Sequence, residues 1–122
     1  MGRTVIVVDD SRTARTQVRN ALSATGYQIV EAQNGRDCLA QLVDHPKTSL
    51  VICDVNMPVM DGLEMLQQMR TTGAKTPVLM LTTEAGPELQ RRGRQAGVVG
   101  WIVKPFDPAA LVRTVRTLLG DA

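Results

Sequence analysis

The sequence predicts an α/β fold, a doubly wound parallel sheet of five strands with five helices. Three observations predict it. Five short apolar runs are spaced along the 122 residues, and each is followed by a stretch with apolar residues at helical spacing. Most of these runs are continuous rather than alternating, the pattern of strands buried on both faces of a sheet. Glycines, prolines and helix-capping residues fall between the runs. Such alternation builds a parallel sheet with right-handed crossovers and helices on both faces.

Thr4 to Val8 is the first apolar run. The first helical stretch carries Ala14, Val18, Ala21 and Leu22 on one face and is stopped by Gly26. Tyr27 to Ala32 alternates, as a more edge-like strand does. Asn34 caps a second helix that is expected to bury Leu39, Leu42 and Val43 and to end before Pro46. Leu50 to Cys53 is the third strand. Asp61 caps the third helix, with Leu63, Leu66 and Met69 inward and Gly73 closing it. Pro77 to Leu81 is the fourth strand. Pro87 starts a fourth helix and Gly97 ends it. This helix is expected to be loosely held, because Gly93 lies in its middle and it has few large apolar residues. Trp101 to Val103 is the fifth strand. Asp107 caps the last helix, Pro108 fits its first turn, and Leu111, Val112, Val115, Leu118 and Leu119 form its apolar face.

Composition narrows the function. Hydrophobic residues are 43% and charged residues 21%, as in ordinary globular protein. Aromatics are only 2%, so the core must be aliphatic, and platforms that stack single-stranded bases are not expected. A net charge of +2 is too small to imply nucleic acid. No run approaches the roughly 18 apolar residues of a membrane span, and there is no long apolar leader. A cytoplasmic setting with reduced Cys38 and Cys53 follows as an expectation. One histidine and two scattered cysteines cannot build a zinc site.

Chemistry concentrates where the runs end. Asp9 and Asp10 follow the first, Asp54 the third, Thr82 the fourth, and Lys104 the fifth. In an open α/β sheet, sites lie beyond the carboxyl ends of the strands. Three carboxylates, a hydroxyl and an ammonium would then face one point. Neighbouring strands lie about 4.8 Å apart, so the carboxylates can share one hard divalent cation such as Mg²⁺. An aspartate beside that cation can act as a nucleophile toward phosphorus. Lys104 would meet a phosphate oxygen as a point charge and Thr82 another by hydrogen bonding.

Four segments carry a resemblance. They are Val-Val-Asp-Asp-Ser (7–11), Asp-Val-Asn-Met-Pro-Val-Met-Asp-Gly (54–62), Leu-Thr-Thr-Glu-Ala (81–85) and Trp-Ile-Val-Lys-Pro-Phe (101–106). Over its whole length the chain resembles the receiver domains of bacterial two-component response regulators, and within them the stand-alone chemotaxis regulators of the CheY type. The resemblance implies the flavodoxin-like strand order 2-1-3-4-5, and a single receiver domain over residues 1–122 with no output domain. It implies Asp54 as the phosphorylated residue. Asp9, Asp10, Asp54 and the backbone carbonyl of Asn56 become ligands of Mg²⁺, with Mn²⁺ as a substitute. Thr82, Lys104 and Trp101 become the phosphate-contact and switch residues, and a cis peptide is implied before Pro105. Trp101 stands where the family often has Tyr or Phe. Asn56 and Glu84 match positions whose side chains orient water and tune dephosphorylation.

The implied partners are a sensor histidine kinase as phosphodonor and a downstream protein. The latter would dock on the face of helix four, strand five and helix five, where Arg91, Arg92, Arg94, Arg113 and Arg116 supply positive charge. Direct nucleic-acid binding and membrane insertion are not expected, and the chain is expected to be a monomer or weak dimer. It is not expected to be a turnover enzyme, beyond catalysing its own phosphotransfer and autodephosphorylation. A role in chemotaxis or motility competes with that of a phosphorelay intermediate. From another class, a flavin-binding electron carrier shares the architecture. Such a carrier needs a phosphate loop after the first strand and aromatics to sandwich the ring; here there are Asp9-Asp10 and few aromatics. An aspartate-nucleophile phosphatase would need a second aspartate where Asn56 stands.

Overall fold

The computed structural model describes residues 2–121. Its elements run β1 (Thr4–Val8), α1 (Arg12–Ala21), a short 3₁₀ turn (Ser23–Thr25), β2 (Gln28–Ala32), α2 (Gly35–Asp44), β3 (Leu50–Cys53), α3 (Gly62–Thr71), β4 (Val78–Thr82), α4 (Pro87–Ala96), β5 (Gly100–Val103) and α5 (Pro108–Leu119). All four strand pairings are parallel and the order is β2-β1-β3-β4-β5. This is the doubly wound sheet that the sequence predicts. Among the described residues no helix is long and apolar enough to cross a membrane.

The two-residue period of the strands divides the core in two. Ile6, Val8, Val51, Cys53, Val78 and Met80 face one side, where Cys38 of α2 and Leu63, Met65, Leu66 and Met69 of α3 cover them. Val5, Val7, Leu50, Ile52, Leu79 and Leu81 face the other, under Val18 and Leu22 and under Leu111, Val115 and Leu119 of α5. Most of β1, β3 and β4 is thus apolar on both faces, which is why their sequences do not alternate.

Local chemistry fixes the helix starts. Ser11 Oγ accepts from the Ala14 N–H at 3.2 Å, Asn34 Oδ1 from Asp37 at 2.8 Å and Asp107 Oδ2 from Ala110 at 3.3 Å. Asp61 and Glu64 form a reciprocal capping box at the head of α3. Two expectations need correction. Val43 does not join the core: it is 79% exposed, and α2 packs through Cys38 instead, with Leu39 and Leu42 half-buried. Gly93 does not carry in α4 the cost of an exposed glycine, because it is buried. A Cβ there would meet Trp101 Cζ3 at 2.8 Å, so the glycine makes room for the indole.

Candidate functional site

Register brings the site together. Val8 pairs with Cys53, Cys53 with Met80 and Met80 with Trp101. The residues just beyond therefore leave the sheet along one edge. Backbone bonds carry this alignment past the strands: the Asp54 N–H donates to the Val8 carbonyl at 3.0 Å, and the Lys104 N–H to the Thr82 carbonyl at 2.8 Å. The centre lies between β1 and β3. There the connections turn to opposite sides of β1, opening a crevice above the strand ends.

Oxygens of Asp9, Asp10 and Asp54 lie within 4.8 Å of one another. Lys104 Nζ donates to Asp9 Oδ2 at 2.5 Å and to Asp54 Oδ2 at 3.2 Å. Asp9 Oδ1 accepts from the Ser11 N–H at 2.9 Å. Asp9 is buried, Asp54 half-buried and Asp10 exposed. Burial pushes the Asp9 carboxyl above its usual range, and the Lys104 ammonium and the Ser11 N–H pull against this without cancelling it. Burial lowers the proton affinity of Lys104, but its contacts with Asp9 and Asp54 outweigh burial and raise its pKa. The donor set suits a divalent cation: all oxygen, three carboxylates, with the Lys104 ammonium touching two of them. Asn56 lies in the same loop and its N–H donates to Asp54 Oδ1 at 3.3 Å.

Thr82 is the last residue of β4 and fully buried, with its hydroxyl accepting from the Glu84 N–H at 3.3 Å. Asn56 Nδ2 donates to Glu84 Oε1 at 2.5 Å, so the two side chains expected to orient water hold each other. The Trp101 indole N–H donates to the Glu84 carbonyl at 2.9 Å. Trp101 is thus anchored to the loop after β4 while its ring fills the space left by Gly93. The Lys104–Pro105 peptide is cis.

The five arginines do not share one surface. Arg94 borders a groove with Val99 and Trp101, beside β5. Arg92 instead lines a groove between α3 and α4, with Leu63 and Arg70. Arg91 pairs with Glu88 on the exposed side of α4. Arg113 is exposed on α5. Arg116 lies at the opposite end of the sheet, beside Arg3, Tyr27 and Asp121. Spacing along a helix does not reveal which end or neighbour a side chain meets.

Two supporting residues are invisible to the same reading. Arg15 Nη1 donates to the Asp9 carbonyl at 2.6 Å while its Nε holds Glu31 at 2.9 Å. Gly62 packs so closely that a Cβ would lie 2.4 Å from the Asp54 carbonyl oxygen. The Asp61-Gly62 pair at the head of α3 is a signal for the second; nothing in the sequence marks the first.

Comparison with known proteins agrees with this geometry. The family model "Response regulator receiver domain" matches residues 5–116. Chemotaxis protein CheY1 of Helicobacter pylori is 37% identical over 119 residues, covering 95% of this chain and 96% of its own. Response regulator MprA of Mycolicibacterium vanbaalenii is 38% identical over 115 residues, but the chain spans only 49% of that protein's length. The crystal structure of chemotaxis protein CheY4 of Vibrio cholerae superposes with a TM-score of 0.89 at 40% identity, covering 98% of this chain and all of that one.

Proposed function

The chain belongs to the response regulator receiver domain family, and from that premise we propose that it is a signalling switch phosphorylated on Asp54. Receiver domains are signalling proteins rather than turnover enzymes. The observation that carries the reading is the half-buried Asp54, with Asp9 and Asp10 beside it and Lys104 touching both Asp9 and Asp54.

An Asp54 carboxylate oxygen attacks the phosphorus of a kinase phosphohistidine. The O–P bond forms as the P–N bond breaks, and the imidazole leaves with the electron pair and takes up a proton. Asp9, Asp10, Asp54 and the Asn56 carbonyl would hold Mg²⁺, or Mn²⁺ in its place; when bound, the cation offsets the carboxylate charge and polarises the phosphoryl oxygens. Lys104 shifts from its carboxylate partners toward a phosphoryl oxygen. Thr82 turns its hydroxyl toward another. Hydrolysis needs a water in line with the O–P bond. Asn56 and Glu84 orient it once their mutual hydrogen bond opens.

Read-out passes through the loop after β4, because Thr82 begins it and Trp101 holds its Glu84 carbonyl. The signal then leaves by the α4–β5–α5 face, with Arg94 beside Trp101 and Arg113 on α5 offering charge to an acidic partner. Chemotaxis or motility is the setting we favour, on the full-length likeness to the CheY proteins, and the cytoplasm is the compartment in which a kinase and two free thiols belong.

The test is phosphorylation by acetyl phosphate, read by intact mass. One phosphoryl group should add in the presence of Mg²⁺. None should add to Asp54→Ala, or to the wild type in excess EDTA. Undiminished labelling of Asp54→Ala would overturn the assignment.

A further inference from the structure

Val59 carries a conformation that valine disfavours. Its φ is +70°, the only positive value at a non-glycine residue among the described residues. The Met60 N–H donates to the Pro58 carbonyl at 2.7 Å, closing a hydrogen bond around Val59. An i→i+2 bond about a residue with φ near +75° marks the positive-φ form of the γ-turn, which is rare and strained. A β-branched side chain makes that strain worse. The side chain does not offset it by packing, since Val59 is 69% exposed.

The turn is nonetheless held firmly. The Met60 carbonyl accepts from the Gly35 N–H at 3.0 Å, and the Gly62 N–H donates to the Val55 carbonyl at 3.0 Å. Met57 and Met60 anchor the loop against the core cluster on the α2–α3 side. A rigid, strained turn therefore presents an isopropyl group to solvent five residues after Asp54, next to exposed Pro58. Strain that the surroundings enforce, at a position where glycine would relieve it, points to a role for the side chain.

We propose that Val59 is an apolar specificity contact for the protein phosphodonor. This rests on the reading of Asp54 as acceptor. A donor whose phosphorylated side chain reaches Asp54 must cover the loop that Asp54 begins. A small apolar recess beside its phosphorylated residue would take Val59 and exclude water. The immobilised turn means that no loop ordering opposes this contact on binding. Acetyl phosphate is too small to touch Val59, so the two donors separate the contact from the chemistry.

The experiment uses Val59→Thr, which keeps shape and strain and removes the apolar surface, and Val59→Gly, which removes both. The donor is the autophosphorylated histidine kinase from the source genome that labels wild type fastest. Transfer from it should fall about tenfold in kcat/KM in both variants, the factor that about 1.4 kcal/mol represents. Acetyl phosphate labelling should be unchanged. Val59→Gly should also raise Tm, by roughly 4 °C. Unchanged kinase transfer in both variants would overturn the proposal. So would an equal fall with both donors, because the loop's shape would then be at fault. Unchanged transfer with a shifted self-association constant in sedimentation would assign Val59 to a second copy of the chain and likewise overturn it. Failure of wild type to take a phosphoryl group from acetyl phosphate would instead refute the acceptor reading itself.

Discussion

At the amino end of the sheet, Asp121 accepts from Arg3 Nε at 3.1 Å and from the Tyr27 hydroxyl at 3.0 Å, and Arg3 also donates to the Leu119 carbonyl at 2.7 Å. At the carboxyl end, three carboxylates lie together and the Lys104 ammonium reaches two of them, Asp9 and Asp54. Hydrogen bonds from Arg3 and Tyr27 hold the Asp121 carboxyl below its usual range. Burial holds that of Asp9 above it. The amino end ties the end of the last helix to the start of the first strand through the paired charges of Arg3 and Asp121. The carboxyl end is left with an excess of negative charge that a cation or a moving lysine must answer. The two ends of the same strands thus differ in how far their charges are paired.

Glycine substitution gives the largest test of this contrast. Gly62 supports the acid pocket by close approach: a Cβ would lie 2.4 Å from the Asp54 carbonyl oxygen and 3.0 Å from Cys53 Sγ. Backbone cannot yield as a side chain can, so Gly62→Ala should destabilise by about 3 kcal/mol. Gly120, at the amino end, has φ +72° with nothing within 4 Å of its Cβ position. Gly120→Ala should cost only about 1 kcal/mol, through the left-handed backbone alone. Urea denaturation of the two variants measures both. A smaller cost at Gly62 would mean that the loop carrying Asp54 is softer than its contacts imply.

The sheet was legible because its central strands are buried on both faces, and aliphatic runs bounded by caps are hard to read otherwise. The family signature was legible because Asp9, Asp10, Asp54, Thr82 and Lys104 end those runs. What could not be read depended on which side of a helix meets a neighbour, or on backbone angles. Val43 has the helical spacing of a core residue, yet α2 is rotated so that Cys38 packs instead. Gly93 looks like a flaw until the Trp101 ring is seen against it. Val59 reads as an ordinary loop residue, since a positive φ is signalled in sequence by glycine or asparagine and here by neither. Arg113 and Arg116 are three residues apart on α5, yet Arg113 is exposed while Arg116 is half-buried beside Arg3, Tyr27 and Asp121.

Metal binding gives the next test in size. A ligand that binds only the folded state at tenfold its Kd stabilises by about 1.4 kcal/mol. Millimolar Mg²⁺ should therefore raise Tm by a few degrees, and Asp10→Asn should lose most of that rise. Without metal, Asp10→Asn should be the more stable protein, because one of three neighbouring carboxylates is gone. Arg3→Ala, at the amino end, should lower Tm by a similar amount with or without Mg²⁺. If the Arg3 variant also loses the Mg²⁺ response, the two ends are coupled and do not act independently.

The smallest effect is the dependence of stability on pH in the absence of metal, and here the two ends should act with opposite sign. The ordinary value for both carboxyls is 3.8. Asp9 has a raised folded value. Between 3.8 and that value the folded state binds more protons than the unfolded one, so Asp9 makes stability fall as pH rises through this window. Asp121 has a lowered folded value. Its contribution is complete above 3.8 and is lost as pH falls through the lowered value. Urea midpoints in EDTA, taken from about pH 2 to about pH 7, should therefore pass through a maximum near 3.8 from these two groups. Asp9→Asn should flatten the limb above the maximum, and Arg3→Ala the limb below it. If Asp9→Asn leaves the upper limb unchanged, the ammonium of Lys104 fully answers the Asp9 carboxylate, and the carboxyl end is as well satisfied as the amino end.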